Sequence, residues 1–340
     1  MTINAAIFGC NGPELLATEA VFFRDCNPWG FILFARNIET PDQVRRLCAD
    51  LRSAVGRDAL IFVDQEGGRV QRLRPPHWSK FPHAHDFGEL YRMNKRDARR
   101  AVWLNFRLIA DELRSVGITA NCAPVLDLPV FGADPIISDR AFSRDKSEMI
   151  DMAHASMAGL TAGGVVPVIK HIPGHGRAKV DSHKALPVIT EPLAELDATD
   201  FVPFKALADA PVAMTAHVVL EQVDAVNPIT ISRKGMQNIV RGQIGYDGLV
   251  MSDDLDMKAL KGSLTGLTRK ALAAGCDIAL QCSGNLPNMV KVAKGLKPLE
   301  GNSLRRAQMA DLMSEYFEPF DAKSGRAEFT ALMRQLDKIS

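Results

Sequence analysis

No apolar run in the sequence approaches the roughly 18 residues needed to cross a bilayer, which argues against a membrane-spanning helix. Excess charge of either sign is missing too. With 41 basic and 40 acidic residues the formal net charge is +1, too little to grip nucleic acid or an anionic lipid surface. The six cysteines include no Cys-x-x-Cys pair, and Cys10, Cys122, Cys276 and Cys282 lie in or beside apolar runs. Reduced, small hydrophobic side chains are expected there rather than a disulfide framework. The opening residues, Met1-Thr2-Ile3-Asn4, carry neither the basic nor the apolar region of an export signal. A cytoplasmic location is the expectation, with no membrane, nucleic acid or obligate protein partner.

What is present is a globular composition, 46% hydrophobic and 24% charged in 340 residues. Short apolar runs recur: Ala5–Phe8, Gly30–Phe34, Leu60–Val63, Thr119–Pro124, Val165–Ile169, Val212–Thr215, Gly248–Met251 and Asp277–Gln281. Their length and β-branched content predict buried strands. Between them, helices are predicted over Pro13–Arg24, Thr40–Val55, Lys95–Val116, Lys146–Ala162, Glu191–Ala208, Ser232–Ile244 and Leu264–Ala274. At the second of these, Thr40-Pro41-Asp42 supplies a cap and an N-terminal proline. Eight β runs alternating with helices predict an α/β fold, a single (β/α)8 TIM-type barrel, rather than an open sheet. No Gly-x-Gly-x-x-Gly or phosphate loop follows the first run, which weakens a dinucleotide-binding reading. No linker or low-complexity tract interrupts the chain. One domain over 1–340 is expected, with a helical tail from about 286 whose last helix runs from about Ala327 to Ile339.

Catalytic groups in such barrels stand at the C-terminal ends of the strands. Those positions hold Arg36, Asp64, Arg72, Asp127, Arg140, Lys170, His171, His217, Asp253 and Asp254, a ring dense enough for a small polyhydroxylated ligand. The stretch from Val165 to His183 is the richest: a buried run, then Lys170-His171, then a loop with Pro173, Gly174 and Gly176, then Asp181-Ser182-His183. Asp253 directly follows Leu249-Val250-Met251-Ser252, so its carboxylate should be rigidly mounted. It is open to two readings, a nucleophile or a helix N-cap. Asp64 with Arg72 could hold substrate or form an ion pair closing the barrel mouth. Met214 and His217 could line the pocket or pack the core.

Three motifs in order, Asp64-Gln65-Glu66-Gly67-Gly68-Arg69-Val70-Gln71-Arg72, Lys170-His171-Ile172-Pro173-Gly174-His175-Gly176 with Asp181-Ser182-His183, and Met251-Ser252-Asp253-Asp254-Leu255, resemble family 3 glycoside hydrolases. The nearest likeness is to the bacterial β-N-acetylglucosaminidases of peptidoglycan recycling. It extends from about Gly30 to Leu280, and departs at Ile172, where the family often has Phe, and at Asp256, where Ser is frequent. The resemblance implies a retaining exo-β-N-acetylglucosaminidase that removes terminal GlcNAc from GlcNAc-anhydroMurNAc peptides through a covalent glycosyl-enzyme, without cofactor or metal. It implies Asp253 as nucleophile and His183, partnered by Asp181, as acid/base. A carboxylate neighbour favours the imidazolium that a leaving sugar needs. The same likeness gives Asp64, Arg72, Arg140, Lys170 and His171 as sugar-binding residues, and Gly174 and Gly176 are expected to let the loop close. A glycosyl phosphorylase of the same family is the first alternative. A metal-dependent hydrolase on His83, His85, His171, His175 and His217, and a non-catalytic sugar sensor, are further ones.

Overall fold

The structure is a computed structural model that describes residues 2–338. Strands β1 (Asn4–Gly9), β2 (Pro28–Leu33), β3 (Leu60–Val63), β4 (Ala120–Asn121), β5 (Val166–Ile172), β6 (Val212–Thr215), β7 (Leu249–Asp254) and β8 (Ile278–Gln281) pair in parallel in chain order, and β8 returns to β1 to close a barrel. Helices cover its outside. β2, β3, β5, β6 and β8 are buried at every residue, which is why they read as continuous apolar runs and not as alternating ones.

The helix starts follow their caps. Thr40 accepts a bond from the Gln43 N–H at the head of helix Pro41–Val55, which ends at Gly56 with φ +63°. Helices Lys95–Ser115, Lys146–Ala162 and Leu264–Ala274 are capped by Asn94, Asp145 and Ser263.

Four expectations shift. The run at Thr119–Pro124 pairs as a strand only over Ala120–Asn121, since Pro124 has no N–H to offer a ladder. The stretch Glu191–Ala208 is two short helices, Leu193–Ala198 and Val202–Ala206, the second begun around Pro203. Helix Ala84–Met93 occupies sequence where no helix is predicted; it buries Phe87 and Leu90, and the Asp86 carboxylate accepts the His83 N–H at its start. The last helix is Ala322–Met333, begun where Asp321 caps Lys323 and Ser324, while Ile339 lies outside the described residues.

The tail packs on the barrel. Helix Gly301–Met313 lies across the end where the strands begin, where the Trp29 indole donates to Asp311 at 3.1 Å. Asp277, just before β8, is the main tie. Its carboxylate accepts from the Val250 N–H at 2.9 Å, Arg241 at 2.8 Å, Ser303 at 2.6 Å and Arg306 at 3.2 Å. Helix Ala322–Met333 packs along Lys95–Ser115, with a two-pronged Arg100–Glu328 pair at 2.8 Å. Among the described residues no helix is long and apolar enough to cross a membrane.

Truncating Asp277 to Ala would take one partner from each of two half-buried arginines, Arg241 and Arg306, and leave the Val250 N–H unpaired. Asp277→Ala is expected to cost roughly 1–3 kcal/mol of unfolding free energy. Urea denaturation measures it, and a loss under about 1 kcal/mol would show that the tail is held by its apolar contacts instead.

Candidate active site

The C-terminal ends of the strands surround a cavity of about 360 Å³. β3 delivers Asp64 to its wall, and the antiparallel hairpin Gln65–Gly67 with Val70–Gln71 that follows turns Glu66 and Arg72 inward. β5 runs on through Lys170 and His171, further than the apolar run alone suggested, so both side chains are strand-mounted. The Lys170–His171 and Ile172–Pro173 peptide bonds are cis. Met214 at the end of β6, Asp253 and Asp254 at the end of β7, and Arg140 in the short helix Ser138–Arg140 complete the wall.

A charge network holds one side. The Lys170 ammonium, 2% exposed, lies 2.9 Å from Asp64 and 2.6 Å from Glu66. Arg140 grips Glu66 with two parallel bonds of 2.8 Å, and Arg72 donates to Asp64 at 3.0 Å. Burial alone would raise both carboxyls, but the cations overcome it: Lys170 and Arg72 hold Asp64 far below the usual range, and Arg140 and Lys170 bring Glu66 down to about 2. Burial disfavours the Lys170 ammonium, yet Asp64 and Glu66 raise it above its ordinary value. All of these groups are charged at neutral pH, with three cations against two carboxylates.

Asp253 is half-buried on the cavity floor. Its N–H donates to Thr215 at 3.3 Å, and its Oδ1 accepts the Asp254 N–H at 2.7 Å, which leaves Oδ2 without a hydrogen-bond partner among the described residues. Burial pushes its carboxyl up, but the nearby His217 and His171 and the Asp254 N–H outweigh that, and the net shift is downward. Its neighbour goes the other way. Burial, with Asp253 and Asp256 close by, pushes Asp254 up to about 6.

His183 reaches the same cavity from the loop after β5. Its Nδ1 lies 2.8 Å from Asp181 Oδ1, which also accepts the His183 N–H at 2.9 Å. Two residues suffice to bring the pair together because Asp181 turns its carboxylate back over the following turn. The imidazole is 63% exposed while the Asp181 side chain is 10% exposed, so the acid anchors the ring through Nδ1 and Nε2 has no hydrogen-bond partner among the described residues. Burial opposes the Asp181 carboxylate, but the His183 N–H and ring more than offset it and its pKa falls.

The model of the Glycosyl hydrolase family 3 N terminal domain matches residues 20–311. The chain belongs to glycosyl hydrolase family 3. A beta-hexosaminidase of Pseudomonas aeruginosa is 40% identical over 275 residues, 80% of either chain. Another, from Stenotrophomonas maltophilia, is 37% identical over 311 residues, 90% of either chain. Among solved structures, native NagZ from Neisseria gonorrhoeae aligns with a TM-score of 0.85 at 30% identity, over 98% of this chain and 96% of that one. The same NagZ in complex with N-trifluoroacetyl-D-glucosamine aligns at 0.84 and 31% identity, over 98% of this chain and 97% of that one. The protein is thus a glycoside hydrolase of the β-hexosaminidase type within family 3.

Most of the residues singled out in the sequence come together in this family 3 cavity: Asp64, Arg72, Arg140, Lys170, His171, Met214, Asp253 and His183 line it, and Asp181 stands behind His183. His217 does not line it. The ring is fully buried beneath the floor, between Thr230 at 2.7 Å and the Asp254 carbonyl at 2.9 Å, so it belongs to the support of β7. Asp64 and Arg72 are an ion pair and cavity wall at once. The N-cap alternative for Asp253 has no helix to cap, since the next one, Leu264–Ala274, starts at Ser263. His83 and His85 pair with Asp139 and Glu89, and among the described residues no three His, Cys, Asp or Glu side chains converge as metal ligands.

Three groups support the site in ways the sequence reading did not assign to them. Glu66 shares a face with Asp64 two residues earlier, a period-2 signal that a strand reading beyond Val63 would have caught. Asp127 was noted only as a strand-end residue; it is fully buried and organises His171 and His175. His175 was named only within its motif and as a metal-ligand candidate; nothing in the sequence points to the backbone tie it makes with Asp127. Gly176 has a different reason from the one expected. A side chain there would strike the Leu128 backbone, so this glycine packs the loop against its neighbour and does not loosen it. Gly174, at φ +138°, does need a glycine backbone.

Two outcomes follow from the packing and the charges. Gly176→Ala should displace the loop and lower turnover by about tenfold or more with the fold intact, as read by kinetics beside circular dichroism. Glu66 has a folded pKa near 2 against an ordinary 4.5, so its ionisation stabilises above about pH 4.5 and that contribution disappears as pH falls toward 2. Glu66→Gln should therefore flatten stability against pH in that window; an unchanged slope would place the acid sensitivity in Asp64 or elsewhere.

Proposed function

We propose that the protein is a retaining exo-β-N-acetylglucosaminidase. Its substrate in this reading is the terminal non-reducing N-acetylglucosamine of peptidoglycan fragments, GlcNAc-anhydroMurNAc peptides, cleaved in the cytoplasm during cell-wall recycling. The observation that carries the reading is the pairing, in one cavity, of an ionised Asp253 with a free Oδ2 and a solvent-facing imidazole backed by Asp181. The relatives named beta-hexosaminidase, and the NagZ complex with an N-acylated glucosamine, support the choice of sugar. A cavity walled on one side by charged pairs suits a chain end better than a chain passing through, which supports exo cleavage.

In the first step Asp253 Oδ2 attacks the anomeric carbon, the bond to the leaving oxygen breaks, and His183 Nε2 gives its proton to that oxygen. The glycosyl group is then esterified to Asp253. In the second step water attacks the same carbon, His183 takes its proton, and the carboxylate is released. Asp181 keeps Nδ1 engaged in both steps, so Nε2 is the nitrogen that exchanges protons. Vicinal hydroxyls of the sugar exchange for water against Asp64, Lys170, Arg140, Arg72 and His171, whose ion pairs keep their positions before substrate arrives. The whole chain acts as one unit in this reading, since the tail carries none of the reacting groups.

Three measurements test it. A chromogenic N-acetyl-β-glucosaminide should be cleaved on the order of 10² times faster than the plain glucoside, and parity would remove the hexosamine assignment. Asp253→Ala should lose ~10⁴-fold or more with every leaving group, and wild-type protein quenched on a slow substrate should gain one glycosyl mass at Asp253. His183→Ala should reduce kcat/KM for poor leaving groups far more than for nitrophenyl glycosides, because only the former need a proton. Each assay is run with and without phosphate: hydrolysis releases free sugar at a phosphate-independent rate, and sugar 1-phosphate would make the enzyme a phosphorylase.

A further inference from the structure

Two buried side chains on the loop after β5 take no part in the chemistry above. His175 is 5% exposed and Ser182 4% exposed, and His175 Nε2 lies 3.1 Å from the Ser182 hydroxyl. Ser182 sits between Asp181 and His183, so whatever holds it holds both. Little else does. Among the described residues, the other hydrogen bonds of residues 179–186 stay inside that turn: the His183 N–H to the Asp181 carboxylate, and the Lys184 and Ala185 N–H groups to the Asp181 carbonyl. The His175–Ser182 contact is the one that leads out.

Behind His175 lies Asp127. Its Oδ1 accepts the backbone N–H of His175 at 2.7 Å and of His171 at 3.2 Å, and its Oδ2 lies 2.7 Å from His171 Nδ1. One buried carboxylate thus joins a cavity-lining histidine to the root of the loop. The other nitrogen of His175, Nδ1, is buried with no partner among the described residues. An unpartnered buried nitrogen costs stability that an apolar side chain of similar size would not. Packing alone gives no reason for a histidine here, whereas the bond to Ser182 does. Burial lowers the ring to about 4, so it is neutral at physiological pH and meets the hydroxyl without adding a charge beside Asp253 and His183.

We propose that His175 and Ser182 are positioning residues that latch His183 into the cavity, with Asp127 anchoring His175 at the root of the loop. The inference rests on His183 being the acid/base. A loosened latch leaves the dyad chemically whole but misplaced, so it should imitate a partial loss of His183 and leave the sugar pocket alone.

The test is kcat/KM of Ser182→Ala on a poor-leaving-group N-acetylglucosaminide and on the nitrophenyl substrate, with the Kd for free N-acetylglucosamine measured by calorimetry. Loss of the one outward bond should lower the first by about tenfold or more and the second by less than about threefold, with the sugar Kd unchanged. Ser182→Thr, which keeps the hydroxyl, should lie nearer wild type in that ratio. A wild-type ratio in Ser182→Ala, equal losses on both substrates, or a threonine variant as impaired as the alanine one would overturn the latch. His183→Ala, run alongside, separates the two ideas: if it shows no leaving-group dependence, the acid/base assignment fails first.

Discussion

An ammonium group buried at the end of a barrel strand is the condition on which the site depends. Lys170 can remain charged at 2% exposure only because Asp64, at the end of β3 two strands away, and Glu66, on the hairpin after it, meet it. Those two carboxylates in turn need Arg72 and Arg140, which come from the hairpin's far end and from a short helix 74 residues on from Glu66. Each member removes the desolvation problem of the next. The result is a rigid, pre-oriented set of donors and acceptors on one wall of the cavity, with no reorganisation left for substrate binding to drive.

The other wall is built on different principles. Asp253 is fixed to β7, its backbone tied to Thr215 and its Oδ1 to the next N–H. His183 rides a loop whose outer part, residues 179–186, is joined to the rest of the molecule by few bonds. In the proposed reaction, a nucleophile that must reach one carbon benefits from rigidity, while an acid/base that must admit a leaving group and then a water benefits from a limited freedom. The neighbouring carboxyls are set apart by the same local geometry. Asp253 sits near His217 and His171 and is held low, whereas burial, with Asp253 and Asp256 beside it, pushes Asp254 up to about 6.

Much of the fold was legible in the chain because barrel strands are covered on both faces and therefore appear as unbroken apolar runs. Caps such as Thr40, with Pro41 behind it, marked helix starts for an equally local reason. The errors also have local causes. Helix Ala84–Met93 was hidden by the prolines before it, and Pro203 divided a stretch whose periodicity looked continuous. Within the site, residues at strand ends could be read from position alone. Glu66 was signalled only by its two-residue spacing from Asp64, and the role of His175 lies in what it touches.

The sequence by itself determined the number and order of the strands, their parallel pairing, and the ring of polar residues at their C-terminal ends, because burial and turn chemistry act over a few neighbouring residues. Which of those polar residues meet was decided by the tertiary structure alone. Lys170 and Asp64 are 106 residues apart, and Asp127 and His171 are 44 apart. Only the side-by-side pairing of β3, β4 and β5 brings such pairs within hydrogen-bond reach, and only in the folded barrel does it become clear that His217 supports the floor from below while Glu66 stands in the wall.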